Sequence, residues 1–328
     1  MADAAPRANR LWLYLPFAVA AVLLFAYYLL WRAAAEEMKH GVADWVAEQR
    51  AAGLSVSHGA IKAEGFPFFL RVHVDAPDIE AQDAWAWRTE RLTLDALPYD
   101  FNRLIFSVRS EQELSLAAYG AWRVRADDFR ASVARDKLRG WKFAMTIAGA
   151  HGARAADGAK ARAGSFVFDL APDAADRSTL TLTLAASALA LNNGEKELAL
   201  DGLRTVMSAT QAQALGDAGL WRAMGGALVI SGLEAEAGAS KLSVSGEISL
   251  DGEGYPAGGL TSVIAAPGPF ITALGEAGVL NKEDAETTSA ALTLAAIAGG
   301  GKIIAPLELK DGEARIANVT LARLPNLN

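Results

Sequence analysis

Two titratable side chains come first in a search for chemistry. His73 and Asp75 stand two residues apart in Leu70-Arg71-Val72-His73-Val74-Asp75. On an extended strand that spacing puts both on one face, where a carboxylate can orient an imidazole as a general base. No nucleophile or third partner is visible in the sequence, and the wet face of an alternating strand accounts for the pair without any reaction. His40, His58 and His151 are scattered, and no metal-ligand spacing such as H-E-x-x-H occurs. Gly252-Glu253-Gly254-Tyr255-Pro256-Ala257 fits the loose glycine pattern of dinucleotide sites. That pattern must open a helix, whereas Pro256 and Gly258-Gly259 lead into a strand, so a hairpin turn is expected here. The chain has no cysteine, which removes thiol catalysis, disulfides and cysteine-ligated metals. The expectation is a protein with no catalytic, metal or cofactor residues, and not an enzyme.

Aromatic residues are a second kind of candidate. Gly65-Phe66-Pro67-Phe68-Phe69 is followed within eighty residues by Trp85, Trp87, Trp122 and Trp141. These rings either fill a core that alanine leaves short of bulk, or line an apolar groove on a curved sheet that holds an acyl chain. Phe66, Phe68, Phe69, Trp85 and Trp87 are the candidates for such a groove or its mouth.

The elements that must position them begin with Leu11–Trp31, a run of 21 residues without a charge. As a helix it matches a hydrocarbon core of about 30 Å. Trp12 and Tyr14 at one end and Tyr27, Tyr28 and Trp31 at the other resemble interfacial belts. A cleavable signal peptide would have a shorter apolar stretch, of about 7–15 residues, before a small-residue site. Arg7 and Arg10 precede the run, so the positive-inside rule puts residues 1–10 in the cytoplasm and the rest of the chain outside. Residues 32–53 are expected to form an amphipathic stalk helix, with Met38, Val42, Trp45 and Val46 along one stripe and Gly53 as its end. The formal charge is -7 overall; Asp3 against Arg7, Arg10 and Arg32 gives +2 for residues 1–32, leaving -9 for the remainder. That balance argues against nucleic acid, and against a domain lying flat on anionic headgroups.

Residues 54–328 read as one β-rich domain. Leu70, Val72 and Val74 alternate with Arg71, His73 and Asp75; Leu180, Leu182 and Leu184 alternate with threonines; Leu242, Val244, Ile248 and Leu250 continue the rule. Such patterning makes antiparallel sheets with one apolar and one wet face. The expected class is β-rich α+β, with large curved, mostly antiparallel sheets, a few accessory helices and the N-terminal transmembrane helix. Gly149–Gly164 reads as a flexible hairpin loop, and helices are expected over about Thr205–Met224, from Pro269, and from Asn281 towards Ile297. Lys310-Asp311-Gly312 reads as a hairpin turn.

Gly65-Phe66-Pro67-Phe68, then Trp221-Arg222-Ala223-Met224-Gly225-Gly226, and then Pro306-Leu307, Asp311-Gly312 and Leu324-Pro325 resemble a bacterial family known as domain of unknown function 2125. The resemblance covers about Leu54 to Leu327 and implies a Gram-negative protein with an anchor and a periplasmic domain. It brings no family activity and no catalytic residues. The early G-F-P-F segment is also similar to the N-termini of AsmA-like envelope proteins, a group associated with phospholipid movement and outer-membrane maintenance. Three expectations remain open: a non-enzymatic inner-membrane protein binding lipid or another apolar envelope component; a structural or assembly factor holding an envelope protein at a sheet edge; and a periplasmic hydrolase.

Overall fold

The computed structural model describes residues 11–82, 84–117, 119–136, 140–192, 197–269, 296–297, 299–316 and 319–327. One helix, α1 (Leu11–Ala51), takes in both the uncharged run and the stalk stripe without a break at residue 32. It ends where the sequence places the stop. Gly53 adopts φ +93°, its N–H donates to the Arg50 carbonyl, and the Leu54 N–H donates to Gln49. These two hydrogen bonds close the helix and satisfy two of its orphan carbonyls.

Ten strands follow in the first half: β1 (Ser55–Ser57), β2 (Ile61–Glu64), β3 (Leu70–Asp75), β4 (Asp78–Ala81), β5 (Trp85–Thr89), β6 (Arg91–Leu97), β7 (Asp100–Ser107), β8 (Gln112–Leu116), β9 (Gly120–Arg125) and β10 (Asp128–Asp136). Longer strands continue with β11 (Gly140–Arg154), β12 (Lys160–Pro172), β13 (Leu180–Asn192) and β14 (Glu197–Ala209). After a short helix, α2 (Ala218–Ala223), come β15 (Leu228–Ala237), β16 (Ser240–Leu250), β17 (Pro256–Ala265), β18 (Lys302–Lys310), β19 (Glu313–Ile316) and β20 (Val319–Arg323). Every pairing among them is antiparallel, as the alternation implies.

The sheet forks at β11. Residues 140–148 of this strand pair with β10, and residues 151–154 pair with β9 along the same edge. One branch runs β10-β7-β6-β3-β2 and the other β9-β8-β5-β4-β1. From the other edge of β11 the strands follow in chain order to β20. The ladder is interrupted along a line through Gly149, Gly164, Ala188 and Asp201, where no partners pair. Gly149 (φ +59°) and Ala188 (φ +49°) have left-handed backbone there, so the sheet is creased at its fork.

Two sequence expectations are corrected. Gly149–Gly164 is mainly strand: β11 and β12 run through it, because small side chains suit a crease and the backbone groups find ladder partners on both edges. The turn between them is only residues 155–159, closed by Arg154 and Asp157, with Nε to Oδ1 at 2.8 Å and a second guanidinium nitrogen to Oδ2 at 2.6 Å. Thr205–Met224 is not one helix. Its first residues complete β14, paired on both sides; a single 3-10 turn follows at Ala212–Ala214, and the α-helix is confined to Ala218–Ala223, capped by the Asp217 carboxylate accepting from the Leu220 N–H at 2.9 Å. The expected helices from Pro269 and Asn281 fall largely on residues 270–295, outside the described residues. The 310–312 turn is as expected, with Asp311 and Gly312 both at positive φ, the geometry of a two-residue hairpin.

The Asp157 carboxyl is held below its usual 3.8, at about 2, first by the Arg154 guanidinium and then by the Ala159 N–H. A depressed folded-state pKa stabilises fully above pH 3.8, and the gain vanishes as pH falls through about 2. Asp157→Asn is therefore expected to flatten the loss of thermal stability between those pH values, measured as the unfolding midpoint.

Candidate functional site

On the wet face of β2, β3 and β6, His73 and Asp75 share a side as expected but do not bond each other. His73 Nε2 lies 3.0 Å from Glu64 and Nδ1 3.0 Å from the Thr93 hydroxyl. Asp75 accepts from Arg91 and Lys62, and the Arg91 bond leads in holding its carboxyl below the usual value. Arg71 forms a forked pair with Asp95 at 2.6 and 3.1 Å. Both imidazole nitrogens and the carboxylate are thus engaged in a cross-strand ladder of charges, with no nitrogen left for a substrate proton. Residues 251–255 form the β16–β17 turn, in which the Asp251 side chain accepts from the Glu253 and Tyr255 N–H groups at 2.9 Å. No helix opens there. Among the described residues no group of three or more histidines and acids is arranged to hold a metal ion.

The opposite face is apolar. Residues paired across a ladder share a face, so the register traces it strand by strand. Leu70, Val72 and Val74 of β3 lie beside Ala96, Leu94 and Leu92 of β6; Phe106 and Leu104 of β7 meet Ala131 and Val133 of β10. Rows then cross the body: Phe143, Leu170, Leu182 and Met207; Met145, Phe168, Leu184 and Thr205; Ile147, Phe166, Ala186 and Leu203. Ile230, Leu233 and Ala235 carry the face on towards Leu260, Leu307 and Leu309. From β3 to β18 this crosses twelve strands, about 50 Å along the sheet at ~4.8 Å per strand.

α1 covers the near end of this face. Trp31, Ala34, Ala35 and Met38 form a buried cluster with Leu70, Val72, Val74, Leu94 and Ala96. Further along the helix the contact opens into a cavity of about 510 Å³. Met38, Gly41, Val42, Trp45 and Val46 form its helix side, Val74, Leu92, Leu94, Phe101, Leu104 and Phe106 its floor, and Val56 and Ile79 of the other branch its wall. Glu37, Ser57 and His58 bring polar groups to it. An apolar cavity of this size with a few polar groups is the common form of a small-molecule site. The sequence reading missed it: it saw the helix stripe, but the floor and wall join only through pairings between distant strands.

The five aromatic candidates fall into two places, and none of them lines the cavity. Phe66, Phe68 and Phe69 belong to the loop between β2 and β3, which is pinned to the helix. The Tyr27 hydroxyl donates to the Pro67 carbonyl at 2.6 Å, and Trp31 Nε1 donates to the Phe69 carbonyl at 3.0 Å. The Phe66 ring sits among Tyr27, Tyr28 and Trp31, with centroids 5.4–6.0 Å apart. Trp31 is therefore buried under this loop. Gly65 is required: its φ is +107°, and a Cβ would stand 2.6 Å from the Phe69 carbonyl oxygen. Trp85 and Trp87 lie on β5, where Trp87 pairs with Ile79 and so shares the face of the cavity wall; its Nε1 donates to Gln112 at 3.0 Å.

Among the described residues, one buried side-chain polar atom on the apolar face is unpartnered. Thr205, 5 % exposed between Leu184 and Leu233, buries its hydroxyl without a hydrogen bond. Leaving such a group unpaired costs about 1–3 kcal/mol. Thr205→Val keeps the shape and is expected to raise unfolding stability by about 1 kcal/mol, read from a denaturant titration.

Residues 31–325 match the family model described as an uncharacterized protein conserved in bacteria, DUF2125. The chain belongs to this family. Its matched region begins at Trp31, so it takes in the part of α1 that packs on the sheet as well as the sheet itself. No curated protein and no solved structure matches the chain. The helix from Tyr14 to Ala51 is long and apolar enough to cross a membrane, with its most apolar stretch almost wholly exposed, and the family region begins within it at Trp31.

Proposed function

We propose that this is a non-enzymatic protein, anchored in the bacterial inner membrane with its N-terminus in the cytoplasm, that binds the acyl part of a lipid in its periplasmic β-rich domain. The observation that carries this reading is the 510 Å³ apolar cavity between Met38–Val46 of α1 and the sheet, opening beside a continuous apolar face. Supporting it, the same helix carries exposed Phe17, Val22, Leu23 and Phe25 at 63–70 %. Apolar surface left open on that scale marks a lipid contact or a binding site. The full chain in nanodiscs containing a phospholipid with a photoactivatable acyl chain provides the test. Adducts on Met38–Val46 and Leu92–Phe106 are expected; adducts confined to residues 11–31 would reduce the helix to an anchor alone.

A scaffold reading has one observation in its favour: β1, β2 and β20 each pair on one edge only among the described residues. Open edges can accept a partner's strand. In-cell crosslinks from β2 or β20 to one reproducible protein, with no lipid adduct in the cavity, would favour it.

A further inference from the structure

We infer that the domain stands edge-on in the membrane interface, with the 65–69 loop and the β6–β7 turn sunk among the lipids of the leaflet on the domain's side. This rests on reading α1 as the membrane-crossing helix and is independent of what the cavity holds.

Depth is set by two hydrogen bonds. Tyr27 lies four residues inside the end of the uncharged run, about 6 Å along the axis at 1.5 Å per residue. Its hydroxyl holds the Pro67 carbonyl, and Trp31 holds the Phe69 carbonyl, so the loop is fixed at the level of the last turn of the apolar run. Phe68, between those anchors, is 80 % exposed. A phenylalanine held there has no core to enter, and its level along the helix axis is that of Tyr27 to Trp31.

Neighbouring strand ends carry the same chemistry. β3 begins at Leu70 opposite Ala96, which brings the β6–β7 turn beside the loop; Tyr99 in the turn is 72 % exposed and Leu97, the last residue of β6, 43 %. One concavity joins the loop to this turn and to the end of β10; Phe69 and Leu97 line it, and its charged lining is Arg71, Arg103 and Arg135 against Asp95 and Asp100, one positive charge in excess. Trp141, opposite Arg135, is exposed beneath that guanidinium at 5.7 Å. Exposed Phe, Tyr and Trp with arginines just behind them fit the boundary between acyl chains and phosphate headgroups. The net charge of -9 on residues 33–328 disfavours a flat approach to anionic lipid, while an aromatic edge with its own arginines permits an upright one.

Because the chain has no cysteine, single-site spin labels test this directly. Phe68→Cys, Tyr99→Cys, Phe25→Cys and Ile304→Cys would each be labelled in the full chain, reconstituted into phosphatidylethanolamine–phosphatidylglycerol bilayers. All four positions are exposed, at 63–80 %, so folding is preserved. Collision with a water-soluble nickel chelate is expected to fall several-fold at Phe68 and Tyr99 relative to Ile304, with oxygen collision rising. If Phe25 is shielded while Phe68 and Tyr99 match Ile304, the edge-on insertion is overturned and the anchor stands. If Phe25 too is open to nickel, the membrane reading itself fails. Neither outcome depends on lipid adducts in the cavity.

Discussion

On the proposed acyl-binding reading, Gly41→Leu is expected to lower lipid capture by about tenfold or more while making the protein more stable. Gly41 faces the cavity from α1, and a Cβ built on it meets nothing within 4 Å. A leucine there enters space that acyl methylenes would fill. Each excluded methylene forfeits about 0.8 kcal/mol, so losing two weakens binding by roughly a factor of ten. The same change removes a glycine from a helix interior, which gains about 0.8 kcal/mol in propensity. Photo-adduct yield and unfolding midpoint, measured on one preparation, should move in opposite directions. Unchanged adduct yield in a stabilised protein would mean that the cavity is not where the lipid sits.

Leu70→Ala is expected to have the largest effect on stability. Leu70 is fully buried at the start of β3 in the cluster with Trp31, Ala34, Ala35 and Met38. Its truncation should cost about 2–5 kcal/mol, and the upper half of that range applies where neighbours cannot collapse into the void. Ala34, Ala35 and Ala96 are such neighbours, too short to refill it. A loss near 3 kcal/mol corresponds to about 6–12 °C in Tm for a domain of this order of size. Leu191→Ala, at a position 46 % exposed, should stay within about 0.5 kcal/mol. Equal effects from the two substitutions would mean that the helix–sheet cluster is not the core of the near branch.

The same cluster shows what the sequence could reveal. Leu70, Val72 and Val74 alternate cleanly because one face of β3 is dry and the other carries the Arg71, His73 and Asp75 ladder, so both element and face were readable. The stripe of Met38, Val42, Trp45 and Val46 was readable for the same reason. What the stripe packs against was not, since Leu104 and Phe106 reach it only through β6, and Val56 and Ile79 only through the second branch. β14 was misread because its apolar residues shift phase, from Leu198 and Leu200 to Leu203 and Met207, where the pairing skips Asp201. Across the crease, alanine and glycine in β11 and β12 resemble a loop in composition while the ladder makes them strand. The loop aromatics stood out as unusual, but their attachment to Tyr27 and Trp31 spans about forty positions and depends on where β2 and β3 end.

The unbroken 41-residue α1 also has a mechanical side. At 1.5 Å per residue it is about 61 Å long, roughly twice the hydrocarbon thickness of a bilayer. A flexible tether would let the sheet turn freely above the surface. Here the middle turns of the helix, from Trp31 to Met38, are built into the buried cluster, so helix and near branch rotate as one body. Bilayers that differ by a few ångströms in thickness impose different tilts on the helix they receive. With α1 crossing a membrane as proposed, each such tilt would turn the near branch through the same angle, because Trp31, Ala34, Ala35 and Met38 are packed into it.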